Sequence, residues 1–493
     1  MTSAAQERNK AAMPHHSGWD LVFSMMTRVE TDLWVEVAAI FAASGYTVGF
    51  LLFDESALEI VRSRGFDAFS VFELMDRQPL ERREPAAESE WLSTFGITNV
   101  RHLYLHEKLG YGRPDEEMLY TKTLHMLQVV DRFFANHRTG CLVQETGGFA
   151  AINAVFYAAS RNGVPHVFYE PSAYPKHVVF TLNGFYANIP IGIQNRVPSP
   201  ESLAEARLLR DNYLTKPSYV VPAKDKHSFR DMTIGRMFNS FNAQRLFGKL
   251  YRKYVTRKRE EFSEVGFVVR KNLLKLGRRA LQANLYVDPP SKGKPYLYYP
   301  FHVPHDVQLS VRSKLFYTQE AFVDYLCRIL PKGYDLYVKE HPASIGGHPV
   351  SLLRRLLRTH QNLKLIHPRH SSFGLVRDAA CVVTVNSKVG FEAVMQGQRV
   401  VVVGEAFYKG KGVTFDVDNV ATLERELPEV LASPVPASAA VLKFLAHVYD
   451  WSYPCDLFVV SPENIAASAA SLKRYLLSQQ LLPVRPAAAG THG

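Results

Sequence analysis

Cysteine is scarce in this sequence and never paired. The four cysteines lie far apart, and no two of them form a C-x-x-C motif: Cys141, Cys327, Cys381 and Cys455. This spacing argues against a thiolate zinc site and against a disulfide framework. Sparse, scattered thiols are typical of a protein that works in a reducing compartment.

Long apolar runs are also missing. Residues 1–18 contain no apolar segment of the kind that a secretory signal has. No stretch of the chain approaches the roughly 18 uncharged apolar residues that a membrane-spanning helix needs. We therefore expect a cytoplasmic protein, soluble or bound peripherally at the inner face of the inner membrane, with disordered tails at 1–18 and 483–493.

Two signatures of nucleotide-binding loops are absent. The sequence contains neither G-x-x-x-x-G-K-S/T nor G-x-G-x-x-G. Their absence argues against a P-loop nucleotidase and against a dinucleotide-dependent oxidoreductase. No zinc-ligand spacing is visible either, so we predict that the protein uses no metal.

Positive charge is concentrated in one block. The net charge of the chain is +11, and residues 224–280 contain 16 Lys and Arg against five Asp and Glu. The rest of the chain is therefore neutral overall, and the block indicates one anionic partner surface. Membrane headgroups, an acidic polysaccharide and nucleic acid are the candidates. No nucleic-acid-binding motif accompanies the block, so we expect no nucleic acid partner.

The length and apolar content of the chain indicate two domains. The 493 residues are 47% hydrophobic, enough for two cores of roughly 200 residues each. Short apolar strands alternate with helices in both halves, which predicts parallel sheets with right-handed crossovers. Thr31 is the predicted N-cap of the first long helix, which ends at Gly45.

The turn-rich residues 288–293 mark the predicted domain boundary. We expect an N-terminal domain over 19–290, with a basic helical segment at 224–285 inserted in it. A C-terminal domain over 291–460 follows, and a helix at 461–482 packs back across the domains. Because ligands of parallel sheets bind at the carboxyl ends of the strands, the cleft between the two domains is the expected site.

Three polar segments follow strands of the C-terminal domain and suit a nucleotide. The turn at 339–342 can donate to a phosphate or ribose oxygen. The junction at 386–392 can cap a helix whose N-terminus attracts an anion, and the loop at 404–414 is flexible and positive. The residues concerned are Lys339, His341 and Pro342 of the turn, Asn386, Ser387, Gly390 and Glu392 of the junction, and Lys409, Lys411 and Gly412 of the loop.

Two carboxylates also follow strands. Asp306 opens the C-terminal domain, and Glu145 follows a strand of the N-terminal domain. Together they would supply the pair of carboxylates that sugar chemistry often uses. Each segment also has an ordinary structural interpretation, as a turn, a helix cap or a surface loop.

Taken in this order, the segments resemble the bacterial capsule polysaccharide biosynthesis glycosyltransferases, which include β-Kdo transferases. The matching stretches are PFHVPHDVQLSVRSKLF, the KEHP turn and NSKVGFEAVMQGQRVVVVGEAFYKGKGVT, with a weaker match in QETGG and the following GVPHVFYEPSAYP. Together they span about 140–190 and 296–415.

The resemblance implies an α/β fold of GT-B type, in which two Rossmann-like domains face a central cleft and the nucleotide binds the C-terminal one. It implies a CMP-activated donor, CMP-Kdo above all, with His341, Asn386 and Ser387 touching CMP. His-Pro and Ser motifs of this kind are also similar to those of bacterial sialyltransferases.

The resemblance also implies the chemistry. Asp306 would be the nucleophile and Glu145 the acid/base of a retaining enzyme that needs no metal and no cofactor. One departure is His302, which stands where the family usually has glutamine.

We therefore expect a glycosyltransferase of surface polysaccharide biosynthesis that transfers Kdo from CMP-Kdo to a glycolipid or polysaccharide acceptor. Residues 224–280 would dock it on an anionic membrane surface. One alternative is a GT-B transferase with another donor, such as CDP-glycerol or CMP-sialic acid. The other is a non-catalytic glycan- or lipid-binding subunit of a capsule assembly complex, which predicts no nucleotide binding.

Overall fold

The computed structural model describes residues 18–111, 115–185, 195–216, 240–261, 265–289, 293–304 and 306–483. The predicted tails lie outside these ranges, except for residues 18 and 483. Residues 224–239 of the predicted basic segment also lie outside them. Across the described ranges, no helix is both long enough and apolar enough to cross a membrane.

A seven-stranded sheet forms the N-terminal domain. Its strands are β1 (Gly18–Met25), β2 (Val48–Leu52), β3 (Asp67–Ser70), β4 (Arg138–Glu145), β5 (His166–Pro171), β6 (His177–Leu182) and β13 (Tyr453–Pro454). The order is β13-β6-β5-β4-β1-β2-β3. The five strands from β5 to β3 run parallel, whereas β6 and β13 join as antiparallel edge strands.

Helices cover both faces of this sheet. They are α1 (Arg28–Ala43), α2 (Leu58–Ser63), α3 (Val71–Arg77), α4 (Pro85–Ser93), α5 (Arg101–Tyr111), α6 (Glu116–Asn136) and α7 (Ala150–Arg161). The prediction of Thr31 as the N-cap of α1 was wrong, because Thr27 occupies that position. The Thr27 hydroxyl accepts from the backbone N–H of Glu30, and the Glu30 carboxylate accepts from the backbone N–H of Thr27, so the pair forms a capping box.

A six-stranded sheet forms the C-terminal domain, and all of its strands are parallel. They are β7 (Tyr296–Pro300), β8 (Asp335–Lys339), β9 (Leu363–Ile366), β10 (Cys381–Thr384), β11 (Val400–Val402) and β12 (Phe415–Asp416). The order β12-β11-β10-β7-β8-β9 is that of a Rossmann fold. The five strands from β7 to β11 consist mainly of buried apolar residues, as expected of a sheet covered on both faces, whereas β12 is a short edge strand.

The helices of this domain are α11 (Gln319–Ile329), α12 (Val350–Thr359), α13 (Ser372–Asp378), α14 (Lys388–Gln396), α15 (Leu423–Ala432) and α16 (Ser438–Asp450). Two Rossmann-like sheets thus face one cleft, and the predicted GT-B fold is confirmed.

The chain passes between the domains several times. After β6, helix α8 (Pro200–Thr215) packs on α16 of the C-terminal domain. After α16, the chain returns to the first sheet through β13, and the last helix, α17 (Pro462–Ser478), packs on α1. The hydroxyl of Tyr46 donates to the carbonyl oxygen of Pro483 at 3.0 Å, which holds the described end of the chain against the N-terminal domain.

Two helices of the basic segment are described, α9 (Ser240–Tyr254) and α10 (Val265–Gln282). The turn after α9 is tied to the N-terminal domain, where Arg259 pairs with Glu55 and Asp76, both at 2.8 Å. The end of α10 is tied to the C-terminal domain, where the Gln282 amide donates to the carbonyl oxygen of His348 at 2.8 Å. The segment therefore bridges the two domains.

Candidate active site

A cavity of about 1430 Å³ lies between the domains at the carboxyl ends of their strands. In the second sheet the strand order reverses between β7 and β10, so the segments after these strands diverge and leave a crevice. Most of the predicted site residues line this cavity: Asp306, Lys339, His341, Pro342, Asn386, Ser387 and Glu392. The N-terminal domain closes it with α5, the β5–β6 hairpin and α8.

Asp306 precedes a short π-helix, Gln308–Arg312. This rare helical form is frequent at functional sites. Its Oδ1 accepts a hydrogen bond from the backbone N–H of Gln308 at 3.0 Å, and its carbonyl oxygen accepts from the Ser310 hydroxyl at 3.0 Å. The carboxylate is therefore held in a fixed direction by its own helix.

The charge of Asp306 acts on three imidazoles: those of His106 and His302, which are buried, and that of His341, which is half-buried. Burial lowers the pKa of His302 and of His341 to about 4, although the charge of Asp306 opposes this shift. Burial also lowers the pKa of His106. All three rings are therefore neutral near pH 7. Among the described residues, no group of His, Cys, Asp and Glu side chains is arranged to hold a metal.

His302 acts as a hydrogen-bond acceptor. Its Nε2 accepts from the backbone N–H of Asn386 at 3.4 Å, and its backbone N–H donates to Gln319 Oε1 at 2.7 Å. A glutamine at 302 could accept the same hydrogen bond through its amide oxygen. Histidine in place of glutamine at 302 therefore keeps the hydrogen bond that joins the segments following β7 and β10.

His341 caps the short helix that begins with Pro342. Its Nδ1 accepts from the backbone N–H of Ala343 at 3.2 Å, so the proton of the neutral ring lies on Nε2. Burial lowers the pKa of the neighbouring Lys339 to about 8, and its ammonium donates to the carbonyl oxygen of His370 at 2.8 Å. This turn therefore offers one neutral donor and one cation to the cavity.

Glu392 is a buried carboxyl on the same wall. Burial raises its pKa to about 7, although Lys388 and Lys339 oppose the shift. The hydroxyl of Tyr213, which belongs to α8, donates to Glu392 Oε2 at 3.3 Å. Glu392 is thus held by a residue that local sequence patterns did not identify.

The junction after β10 is held largely by its own neighbours. Ser387 is the N-cap of α14 and accepts from the backbone N–H of Val389 at 3.0 Å. The amide of Asn386 donates to the carbonyl oxygen of Gln308 at 2.9 Å. The structure does not bring Gly390 to the cavity wall, because a Cβ there would collide with the hydroxyl of Tyr408 inside the domain.

Glu145 does not line the cavity either. It is half-buried at the carboxyl end of β4. Its charge acts on the neighbouring Tyr169, whose pKa is raised by burial and then by the charges of Glu30 and of Glu145 itself. The loop that follows it packs on the cavity wall, because Gly148 lies against the ring of His106 and a Cβ there would collide with that ring.

The loop at 404–414 faces the cavity only at its start. Lys409, Lys411 and Gly412 are not on the wall. Lys409 pairs with Asp418 at 2.9 Å and with Glu405 at 3.7 Å. The loop doubles back because Asp416 accepts from Thr414 and from the backbone N–H of Gly410, both at 2.7 Å. The prediction of a phosphate loop did not anticipate these acidic partners.

An ion pair across the cleft was also missed. The guanidinium of Arg312, in the π-helix, binds both oxygens of Glu170, at the end of β5, at 2.6 and 3.1 Å. Its Nε donates to the carbonyl oxygen of Phe185 at 2.7 Å. No local pattern could reveal this pair, because its partners are 142 residues apart and in different domains.

Comparison with known proteins places this site in a family. The model of the family described as "Capsule polysaccharide biosynthesis protein" matches residues 191–449, just over half of the chain. Protein FixF of Sinorhizobium fredii is 24% identical over 178 residues, which are 35% of this chain and 41% of that protein. The match thus spans about two fifths of the length of this curated relative.

Two solved structures of Thermosulfurimonas dismutans KpsC are more distant in sequence. The beta Kdo 2,4 transferase is 17% identical with a TM-score of 0.36, and the match covers 68% of this chain and 87% of that one. The beta Kdo 2,7 transferase is 16% identical with a TM-score of 0.32, and the match covers 71% of this chain and 95% of that one. The fold assignment rests on the strand order described above, and the family assignment on residues 191–449. The chain belongs to the capsule polysaccharide biosynthesis protein family.

Proposed function

We propose that this protein is a retaining glycosyltransferase that transfers Kdo from CMP-Kdo to a lipid-linked glycan. The observation that carries the proposal is the position of Asp306. Its carboxylate lies at the point where the strand order reverses, on the wall of the interdomain cavity, among three neutral imidazoles.

The reaction would proceed in two displacements. An oxygen of Asp306 attacks the anomeric carbon of the donor, and the bond to the phosphate oxygen breaks, so CMP leaves with the bonding electrons. An acceptor hydroxyl then attacks the same carbon, the bond to Asp306 breaks, and the hydroxyl proton passes to a base. Two inversions leave the anomeric configuration unchanged.

The residues after β8 and β10 would hold the nucleotide. His341 can donate from Nε2 to a phosphate oxygen, and the cations Lys339 and Lys388 stabilise the departing CMP. Glu392, positioned by Tyr213, would accept the ribose hydroxyls.

Glu145 is the proposed acid/base. Because it lies off the cavity wall, this role requires the two domains to close further on the bound acceptor, as two-domain enzymes do around their substrates.

The basic segment would place the enzyme on an anionic membrane. The described helix α9 exposes Phe247, Tyr251 and Tyr254, which recur on one face. It also carries Lys249 and Arg252, which pair with Glu260 at 3.6 and 3.8 Å. Aromatic and basic side chains together suit the interface of an anionic bilayer, where each well-placed cation contributes about 1 kcal/mol. Sedimentation with phosphatidylglycerol vesicles but not with phosphatidylcholine vesicles is the expected result.

The purified protein and CMP-Kdo test the proposed function. We expect release of CMP and, with acceptor, transfer of Kdo. Asp306→Asn should lower the rate by at least about 10³-fold, because the nucleophile is lost. Asp378→Asn, at an exposed ion pair, is the matched control. Normal turnover by Asp306→Asn would contradict the nucleophile.

A donor screen separates the alternatives. Thermal shifts with CMP-Kdo, CMP-sialic acid, CDP-glycerol, UDP-sugars and GDP-sugars should show the largest stabilisation with CMP-Kdo. Stabilisation by another donor would retain the transferase and change its substrate. If none of these donors raises the melting temperature, the proposed transferase activity is contradicted, and a non-catalytic subunit of a capsule assembly complex is favoured.

A further inference from the structure

His106, in α5 of the N-terminal domain, contacts the segment of the C-terminal domain that carries Asp306. Its Nδ1 lies 2.6 Å from the hydroxyl oxygen of Ser310, in the π-helix, and both side chains are buried. The same Ser310 hydroxyl donates to the carbonyl oxygen of Asp306 at 3.0 Å. Two successive hydrogen bonds therefore join the imidazole to the backbone of the proposed nucleophile.

The loop after β4 holds the ring from other sides. Gly148 lies against it, because a Cβ at this glycine would be 2.6 Å from Cγ of His106. The ring of Phe149 meets the imidazole edge to face, with 4.9 Å between the centroids and 77° between the planes. The direction of the imidazole is therefore fixed by both domains.

These contacts determine which ring nitrogen carries the proton. The Ser310 hydroxyl has one hydrogen, which it directs at the carbonyl oxygen four residues earlier, as serines in helices often do. Its oxygen therefore accepts from Nδ1–H of His106. Burial lowers the pKa of His106, so the ring is neutral near pH 7 and Nε2 keeps its lone pair.

This lone pair is available to a ligand. Within the part of the chain that the structure describes, no group is hydrogen-bonded to Nε2, and this nitrogen is not closed off from solvent. His106 and Asp306 line the same cavity. A neutral nitrogen without a hydrogen can accept from a hydroxyl but offers nothing to a phosphate oxygen.

We propose that Nε2 of His106 accepts a hydrogen bond from a hydroxyl of the transferred sugar. The inference deepens the proposed function and rests on it, because CMP-Kdo supplies that sugar. Since the imidazole is tied to the backbone of Asp306, it stays beside the sugar that becomes bonded to this carboxylate. An acceptor hydroxyl has no such fixed relation to the ring. His106 is thus the contact through which the N-terminal domain recognises the donor sugar.

Two substitutions separate the two nitrogens of the ring. In His106→Asn the side-chain amide can still donate to Ser310, but nothing replaces Nε2. In His106→Gln the longer side chain can place its amide oxygen, an acceptor, near the position of Nε2. His102→Asn, at an exposed position of the same helix, is the matched control.

Calorimetry with CMP and with CMP-Kdo measures the contact, in an Asp306→Asn background that leaves the donor intact. His106→Asn should weaken binding of CMP-Kdo at least about fivefold, because a sugar hydroxyl loses its partner, and leave binding of CMP unchanged. His106→Gln should restore most of the affinity, and His102→Asn should bind both ligands like its parent. Unchanged binding of CMP-Kdo by His106→Asn, or an equal loss for CMP, would overturn the proposal.

The proton position can be measured without any donor. NMR of protein labelled at its histidine nitrogens, with the signals of His106 assigned through His106→Asn, should show a proton on Nδ1 and none on Nε2. A proton on Nε2 would overturn the inference, whichever donor the enzyme uses.

Failure of this inference is distinguishable from failure of the proposed function. If the protein with His106 intact binds neither CMP nor CMP-Kdo, the proposed function fails. If it binds and cleaves CMP-Kdo, but His106→Asn binds the donor equally well, the transferase stands and the role of His106 is lost.

Discussion

The two domains share a Rossmann-like strand order but contribute unequally to the cavity. In the C-terminal domain, the segments after three adjacent strands carry Asp306, His341 and Asn386 to one wall. The N-terminal domain contributes His106 and Glu170 from a helix and a strand end, whereas Glu145 lies off the wall. A fully parallel sheet therefore builds most of one wall of the cavity, while the other domain mainly closes over it.

The largest expected effect tests this asymmetry at Glu145. If closure brings its carboxyl to the acceptor, Glu145→Gln should slow transfer by about 10² to 10⁴-fold, the range for loss of a general base. The covalent Kdo adduct on Asp306 should then accumulate and be visible by mass spectrometry. Glu59→Gln, an exposed carboxylate of the same domain, is the control. If Glu145→Gln transfers Kdo at the normal rate, Glu145 is not the general base, and that role belongs to a residue already on the cavity wall.

The next effect concerns the ion pair that joins the domains. Arg312→Ala leaves the half-buried carboxylate of Glu170 without its partner, which should cost about 1 to 3 kcal/mol of unfolding free energy. Urea denaturation measures this change. Arg377→Ala removes an exposed pair with Asp378 and should cost less than about 1 kcal/mol. Similar denaturation midpoints for the two variants would show that Arg312 does not join the domains.

A third effect concerns Glu392 and depends on pH. Because its pKa is raised by burial to about 7, the folded protein keeps a proton that the unfolded chain releases above about pH 4.5. Stability is therefore lost as the pH rises towards 7 and stays reduced above it. Glu392→Gln should stabilise the protein at pH 8 by up to about 3 kcal/mol and change little at pH 5.

The same substitution should weaken nucleotide binding at pH 8, because the ribose hydroxyls lose a charged acceptor. Thermal unfolding at the two pH values, with and without CMP, measures both effects. A stabilisation equal at pH 5 and pH 8 would contradict the proposed titration.

The smallest effect is expected in the loop at 404–414. Lys409→Gln should change transfer by less than about threefold, because Lys409 already pairs with Asp418 and Glu405. Steady-state kinetics with CMP-Kdo decide the point. A tenfold rise in KM for the donor would show that this lysine leaves its partners to bind phosphate.

The alternation of strands and helices in the C-terminal domain could be predicted from the sequence, because the strands from β7 to β11 are mainly apolar and most are followed by polar residues. The helix expected to start at the junction at 386–392 is α14, which Ser387 caps and which ends before Gly397 in the left-handed conformation. The motif residues of this wall were found for the same reason. Both the secondary structure and the motif residues of this wall are determined by local sequence: apolar strands, helix caps and polar turns.

The remaining parts of the site depend on contacts between distant segments. Arg312 with Glu170, and Tyr213 with Glu392, join residues 142 and 179 positions apart. The lysines of α10 and of the loop at 404–414 have the same chemistry in the sequence. Only the fold separates them, because acidic partners reach Lys409 and none of the described carboxylates reaches Lys271.

The repeated passage of the chain between the domains has a consequence for how the two halves can be separated. Helix α8 rests on the C-terminal domain, the turn at Arg259 on the N-terminal domain, α10 on the C-terminal domain again, and β13 on the first sheet. A single protease cut in any one connection would leave the others intact. The nicked protein should still migrate as one particle under native conditions, with both walls of its cleft in place.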